Sequence, residues 1–260
     1  MHCISLPATG NRSDRHMNSK IRLLLLSSSR TPGMQPLEHA RTFIREFLGP
    51  QVRRVLFVPY AMVMHSHAVL AERVAAEFER LGYGFTSLHT CTDPAAAVEE
   101  AEALVVSGGN TFRLLHEIQK RGLLEPIRQR AQAGMPYIGW SAGSNLACPT
   151  ICTTNDMPIV WPEQPDALGL LPFQINPHYT DIHPPGHQGE TRDERLQEFM
   201  VQNPTMPVLG LREGSALLLQ DGRLCLLGSH SAKLFSAGSS RELPPEESLQ
   251  FLLGAVVKPA

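Results

Sequence analysis

The chain has no cysteine framework. Its 260 residues hold five cysteines (Cys3, Cys91, Cys148, Cys152 and Cys225), an odd set without a C-x-x-C pair. That pattern argues against a disulfide-stapled scaffold and predicts free thiols in a reducing compartment. An excess of charge of one sign is also missing. The formal net charge is −2, and no basic block or aromatic-interleaved stripe offers a surface to a nucleic acid. Long apolar runs are absent as well: Leu23–Leu26 is too short to cross a bilayer. The first twenty residues are polar, with Arg12, Arg15 and His16, and lack the apolar stretch of a signal peptide. A cytoplasmic protein with no nucleic-acid or membrane partner is expected. Internal repeats, low-complexity linkers and a clear domain boundary are likewise missing.

What is present is an ordinary globular composition, 42% hydrophobic and 18% charged, in a chain long enough for one large core. Residues 1–16, ahead of Met17, are expected to form a disordered extension, and 17–260 a single α/β domain. Apolar strands at 21–26, 54–58, 85–88 and 103–106 alternate with helical spacing at 37–48, 70–81, 94–102, 111–118 and 124–133. Such alternation predicts a three-layer α/β fold, a mostly parallel sheet with helices on both faces. The second half is less regular. Strands are expected at 171–175 and 208–211, a helix at 189–201, and a hairpin turning at Asp221-Gly222.

The chain is organised around Gly139-Trp-Ser-Ala-Gly143, where an apolar strand enters a sharp turn and a helix follows. This is the pattern of a nucleophile elbow. Gly139 and Gly143 let strand and helix approach closely, Ser141 sits on the strained turn, and the Ala142 N–H points to where an oxyanion would develop. A simple Gly/Ser-rich turn is the competing explanation. In parallel sheets the loops at the carboxyl ends of strands build the site, so Ser107-Gly108-Gly109-Asn110 should share a crevice with Ser141. That loop could supply a second oxyanion donor or cradle a phosphate, although it lacks a Walker lysine.

A serine nucleophile needs a base, and His178 is placed for it at the end of the 173–175 strand. A base needs an acid to orient it, and Asp156 and Glu213 both lie in loops after ordered segments. His178, Asp181, His183 and His187 resemble a metal cluster, but Pro184-Pro185-Gly186 interrupts them; no metal and no other cofactor is expected. Arg192, at the start of a helix, could fork onto a substrate carboxylate or form a surface ion pair.

Together these segments resemble the peptidase E family. The resemblance rests on Leu23-Leu-Leu-Leu-Ser27, Ser107-Gly-Gly-Asn-Thr-Phe112, the Ser141 elbow, Thr153-Thr-Asn-Asp-Met-Pro-Ile159, Gln174-Ile-Asn-Pro-His178 and Gly186-His-Gln-Gly-Glu-Thr-Arg192. It implies a flavodoxin-like fold similar to class I glutamine amidotransferases. It also implies a cytoplasmic serine dipeptidase that removes an N-terminal aspartate from Asp-X dipeptides, working as a monomer or homodimer. By that resemblance Ser141 is the nucleophile, His178 the general base, and Gly109 and Ala142 the oxyanion donors. Arg192 would read the aspartyl side chain, and Asp156 and Glu213 both match acidic positions of the family. Residues 1–16 and Ser107, where glycine is expected, depart from the pattern. Alternatives are a cyanophycinase-like peptidase acting on aspartyl-linked peptides and a non-catalytic ligand-binding domain.

Overall fold

The computed structural model describes residues 20–186 and 188–254. The expected extension at 1–16, and His187 of the cluster His178, Asp181, His183 and His187, lie outside the described residues. The order of elements is β1 (Leu23–Leu26), α1 (Arg41–Leu48), β2 (Arg54–Val58), α2 (His67–Arg80), β3 (Gly84–Ser87), α3 (Pro94–Glu100), β4 (Leu104–Val106), α4 (Thr111–Lys120), α5 (Leu124–Gln132), β5 (Tyr137–Trp140) and α6 (Ala142–Leu146). The second half adds β6 (Gln174–Tyr179), α7 (Arg192–Gln202), β7 (Val208–Arg212), β8 (Ala216–Gln220), β9 (Arg223–Leu227), β10 (Ala232–Ser236) and β11 (Ser239–Leu243).

Seven strands form the main sheet in the order β3-β2-β4-β5-β1-β8-β9. The first five are parallel, and the β8–β9 hairpin adds an antiparallel edge. Strand β1 is four leucines because both of its faces are covered. Leu24 and Leu26 pack with Ile44 and Phe47 of α1 and Val74 and Phe78 of α2. Leu23 and Leu25 belong to the opposite core with Leu114 and Ile118 of α4 and Ile127 of α5. Helices thus lie on both faces, and a strand buried on both sides carries no polar alternation.

The less regular second half contributes a further sheet. Strands β11-β10-β7-β6 form a separate four-stranded sheet. Ile175, Leu209, Leu211 and Leu234 of its inner face join the core that holds Leu23 and Leu25. Its outer face buries Tyr179, Val208 and Phe235 beneath Leu196 and Met200 of α7. The strand expected at 171–175 is displaced: β6 starts at Gln174 and continues through Pro177 to Tyr179. Among the described residues Cys91, Cys148 and Cys152 are free thiols. Among the described residues no helix is long and apolar enough to cross a membrane.

Strand and helix come close together at the β5–α6 turn. A Cβ added at Gly143 would stand 2.3 Å from the Val106 carbonyl oxygen, and one at Gly139 would stand 2.4 Å from that of Gly143. Gly143→Ala is expected to cost about 1–3 kcal/mol as strand and helix are forced apart. A thermal melt checks this, and an unchanged midpoint would mean that the approach is not tight.

Candidate active site

Ser141 links β5 to α6 with φ 52° and ψ −111°, a conformation that costs a non-glycine residue about 1–3 kcal/mol. Its surroundings hold it there. The Ser141 N–H donates to Leu26 O at 3.1 Å, and the Ser141 carbonyl accepts from the N–H groups of Ser144 and Asn145 at 2.9 and 3.0 Å. One residue pair on, the buried Tyr137 hydroxyl donates to Gly143 O at 2.7 Å. The Asn145 amide donates to Ile175 O at 2.8 Å and so ties the elbow helix to β6.

His178 is presented by a different irregularity. The β6–β7 register passes from Pro177↔Leu211 to Tyr179↔Arg212, which leaves His178 as the extra residue of a bulge with φ 54°. Four residues apart, Ile175 and Tyr179 would share a face of a regular strand; here they lie in different cores. The histidine, expected at the end of a strand, is therefore inside it. Its N–H, released from the ladder, donates to the Ser27 hydroxyl at 2.9 Å. Ser27 is fully buried and donates in turn to Leu211 O at 2.7 Å.

The two irregular residues meet. His178 Nε2 lies 3.0 Å from Ser141 Oγ, and His178 Nδ1 lies 2.6 Å from Glu213 Oε1. Glu213 directly follows β7, the strand paired with β6, so pairing delivers both side chains to one place. An ionised carboxylate only accepts, so Nδ1 carries the proton and Nε2 turns its lone pair to the serine O–H. Asp156 does not take part in this chain. Its Oδ2 accepts from Thr111 N at 2.7 Å, Thr111 Oγ1 at 2.6 Å and Thr154 Oγ1 at 3.1 Å. Asp156 thus anchors its loop to the first turn of α4.

The 107–110 loop packs against the elbow. A Cβ at Gly108 would stand 3.1 Å from Ser141 Cβ, and one at Gly109 would stand 2.3 Å from Ala61 O. Gly109 also holds φ +142°, so both space and backbone demand glycine there. Ala142 opens α6, where a helix leaves its N–H groups unpartnered. Among the described residues neither the Gly109 nor the Ala142 N–H has an acceptor.

Ser141, His178, Glu213 and Gly109 line one cavity of about 640 Å³. Arg192 does not line it. It stands at the start of α7 in a cavity of about 310 Å³ with Thr180, His183, Glu190 and Arg195. Its Nη1 is buried without a partner, and burial, with Arg195 nearby, lowers its pKa from the usual value. Asp181 of the metal-like cluster is ion-paired with Arg212 and Lys233. Among the described residues no group of three or more His, Cys, Asp or Glu is placed to hold a metal.

Sequence reasoning missed Ser27, Tyr137 and Asn145, which hold the site's backbone. Ser27 left a signal: a polar residue directly after a wholly apolar strand, at the carboxyl edge of the sheet.

A strained serine bonded to a histidine, itself bonded to a carboxylate, on an α/β sheet defines a serine hydrolase. The family model for peptidase family S51 matches residues 23–227, and the chain belongs to this family of serine peptidases. It is 46% identical over 233 residues to peptidase E of a Nostoc species, covering 89% of this chain and 96% of that one. To peptidase E of Shigella flexneri it is 48% identical over 218 residues, covering 84% and 95%. Among solved structures, a peptidase from an acI-B1 Actinobacterium superposes with a TM-score of 0.65 at 18% identity, covering 90% of this chain and 98% of that one. A candidate peptidase E of Listeria monocytogenes gives 0.60 at 22%, covering 80% and 98%; at these identities the two establish the shared fold.

A phosphonylating reagent is expected to label Ser141, with labelling slowed at least about a hundredfold in His178→Ala. Mass spectrometry of the labelled peptide measures this. Glu213→Gln should slow the reaction more than Asp156→Asn. The reverse order would make Asp156 the acid that serves the histidine.

Proposed function

We propose that the protein hydrolyses dipeptides with an N-terminal L-aspartate through an acyl-enzyme at Ser141. As Ser141 Oγ attacks the aspartyl carbonyl carbon, His178 Nε2 takes its proton, and Glu213 holds the imidazole and offsets its charge. The oxyanion receives hydrogen bonds from the Gly109 and Ala142 N–H groups, each worth about 3 kcal/mol when well aimed. Collapse breaks the C–N bond, and His178 returns the proton to the leaving amine. Water, deprotonated by His178, then attacks the ester; the C–O bond breaks, Ser141 regains its proton, and aspartate is released.

The aspartyl specificity rests on one observation, the buried and unpartnered Nη1 of Arg192. Arg192 is half-buried, and a guanidinium nitrogen shut away without an acceptor is costly; a substrate carboxylate relieves that cost. Arg192 lines the neighbouring cavity, at the start of α7. Asp156 is bonded through Oδ2 alone and keeps Oδ1 for the substrate's α-ammonium. A cytoplasmic place of work agrees with the free Cys91, Cys148 and Cys152.

The purified protein should cleave Asp-Leu, and Ser141→Ala should lose at least about a thousandfold of that rate. Asn-Leu and Leu-Leu should be cleaved at least about a hundredfold more slowly, and Arg192→Ala should erase most of the difference. Product amino acids quantified by chromatography give these rates. Normal cleavage of Asp-Leu by Arg192→Ala would remove the specificity model and leave the serine hydrolase standing.

A further inference from the structure

The cavity around Ser141 is larger than the reacting groups need, and its lining includes exposed charge that the mechanism does not use. Arg30, in the loop after β1, and Arg73, on α2, both line it. Neither guanidinium has a carboxylate partner among the described residues. The acids of the same lining are already engaged: Glu77 is paired with Arg41 at 2.8 Å, and Glu213 with His178. Leu37, Leu70 and Val74 line the same cavity and supply an apolar surface, with Leu70 and Val74 on the helix that carries Arg73. Two unpaired cations beside an apolar patch, in one cavity with a nucleophile, suit a ligand with an apolar side chain and an anion just beyond it.

We propose that Arg30 and Arg73 bind the free C-terminal carboxylate of the residue that follows the scissile bond. This deepens the aspartyl-dipeptidase reading and rests on it. In a dipeptide that carboxylate lies one residue past the bond being cut, whereas in a longer peptide the position is taken by a neutral amide. Charge-assisted hydrogen bonds to a guanidinium distinguish the two strongly. The apolar lining takes the side chain of the leaving residue, and the arginine pair makes the protein a dipeptidase instead of a general aminopeptidase. The two carboxylates of Asp-X are thereby read by different arginines, Arg192 on one side of the bond and Arg30 with Arg73 on the other.

The test compares Asp-Leu with Asp-Leu amide, which differ only in that carboxylate. The wild-type kcat/KM should favour Asp-Leu by about tenfold or more. In Arg30→Gln/Arg73→Gln the ratio should fall to about one, with the loss in the KM for Asp-Leu, while the preference for Asp-Leu over Asn-Leu persists. That second ratio reports whether the rest of the site is intact. A wild-type ratio near one, or a ratio that survives the double substitution, overturns the inference and leaves the aspartyl reading in place. Failure of the wild type to cleave either aspartyl substrate overturns both. Loss of the aspartate preference in the double variant would assign the two arginines a structural role instead.

Discussion

A single buried hydroxyl joins the two sheets at the point where the site forms. Ser27 extends from the end of β1 in the main sheet, accepts the His178 N–H and donates to Leu211 O, both in the second sheet. Without a partner there, a bulge N–H and a strand carbonyl would both be buried and unsatisfied, at about 1–3 kcal/mol each. The nucleophile belongs to one sheet and the base and acid to the other. The 3.0 Å gap between Ser141 and His178 therefore depends on how the sheets are joined. Asn145 adds a second tie between them, from the elbow helix to Ile175.

The site carries backbone strain on both sides of that gap. Ser141 and His178 both hold positive φ, at 52° and 54°, where L-residues other than glycine are disfavoured. Neither could persist in a loosely packed region. Around Ser141 the constraint comes from the glycine contacts and the Tyr137 hydroxyl, and around His178 from the parallel pairing of β6 with β7. Rigid scaffold and strained residues are parts of one arrangement, in which the core keeps the reactive atoms where the relaxed backbone would not.

The parallel half of the fold was legible because its signals are local. β1 and β4 are short apolar runs, α1 and α4 carry helical spacing, and the Ser141 elbow joins a strand to a helix within a few residues. The second sheet was not, since β10 and β11 mix polar and apolar residues and find their faces only through β7 and α7. His178 could be picked out at a strand end and Glu213 in the loop after a strand, yet only the β6–β7 pairing brings them within 2.6 Å. Asp156 had an equal claim in sequence. Its partners, Thr111 and Thr154, decide otherwise, and a local motif cannot show them. Arg192 was identified as an anion reader by its place at a helix start; the separate cavity that it lines depends on the path of the chain from Thr180 onward.

The bulge in β6 also limits how this chain can change over evolutionary time. Most surface strands accept substitution freely and lose or gain a residue at their ends with little consequence. In β6 the count itself carries information: Ile175 faces one core and Tyr179 the other only because one residue between them is out of step. Removing that residue would give a more regular strand, better paired and less strained, with the imidazole position gone. Mutations in this stretch are thus asymmetric, because substitutions alter the site by degrees whereas a change of length abolishes it while mending the sheet. The least regular part of the strand is the part that drift can least afford to tidy.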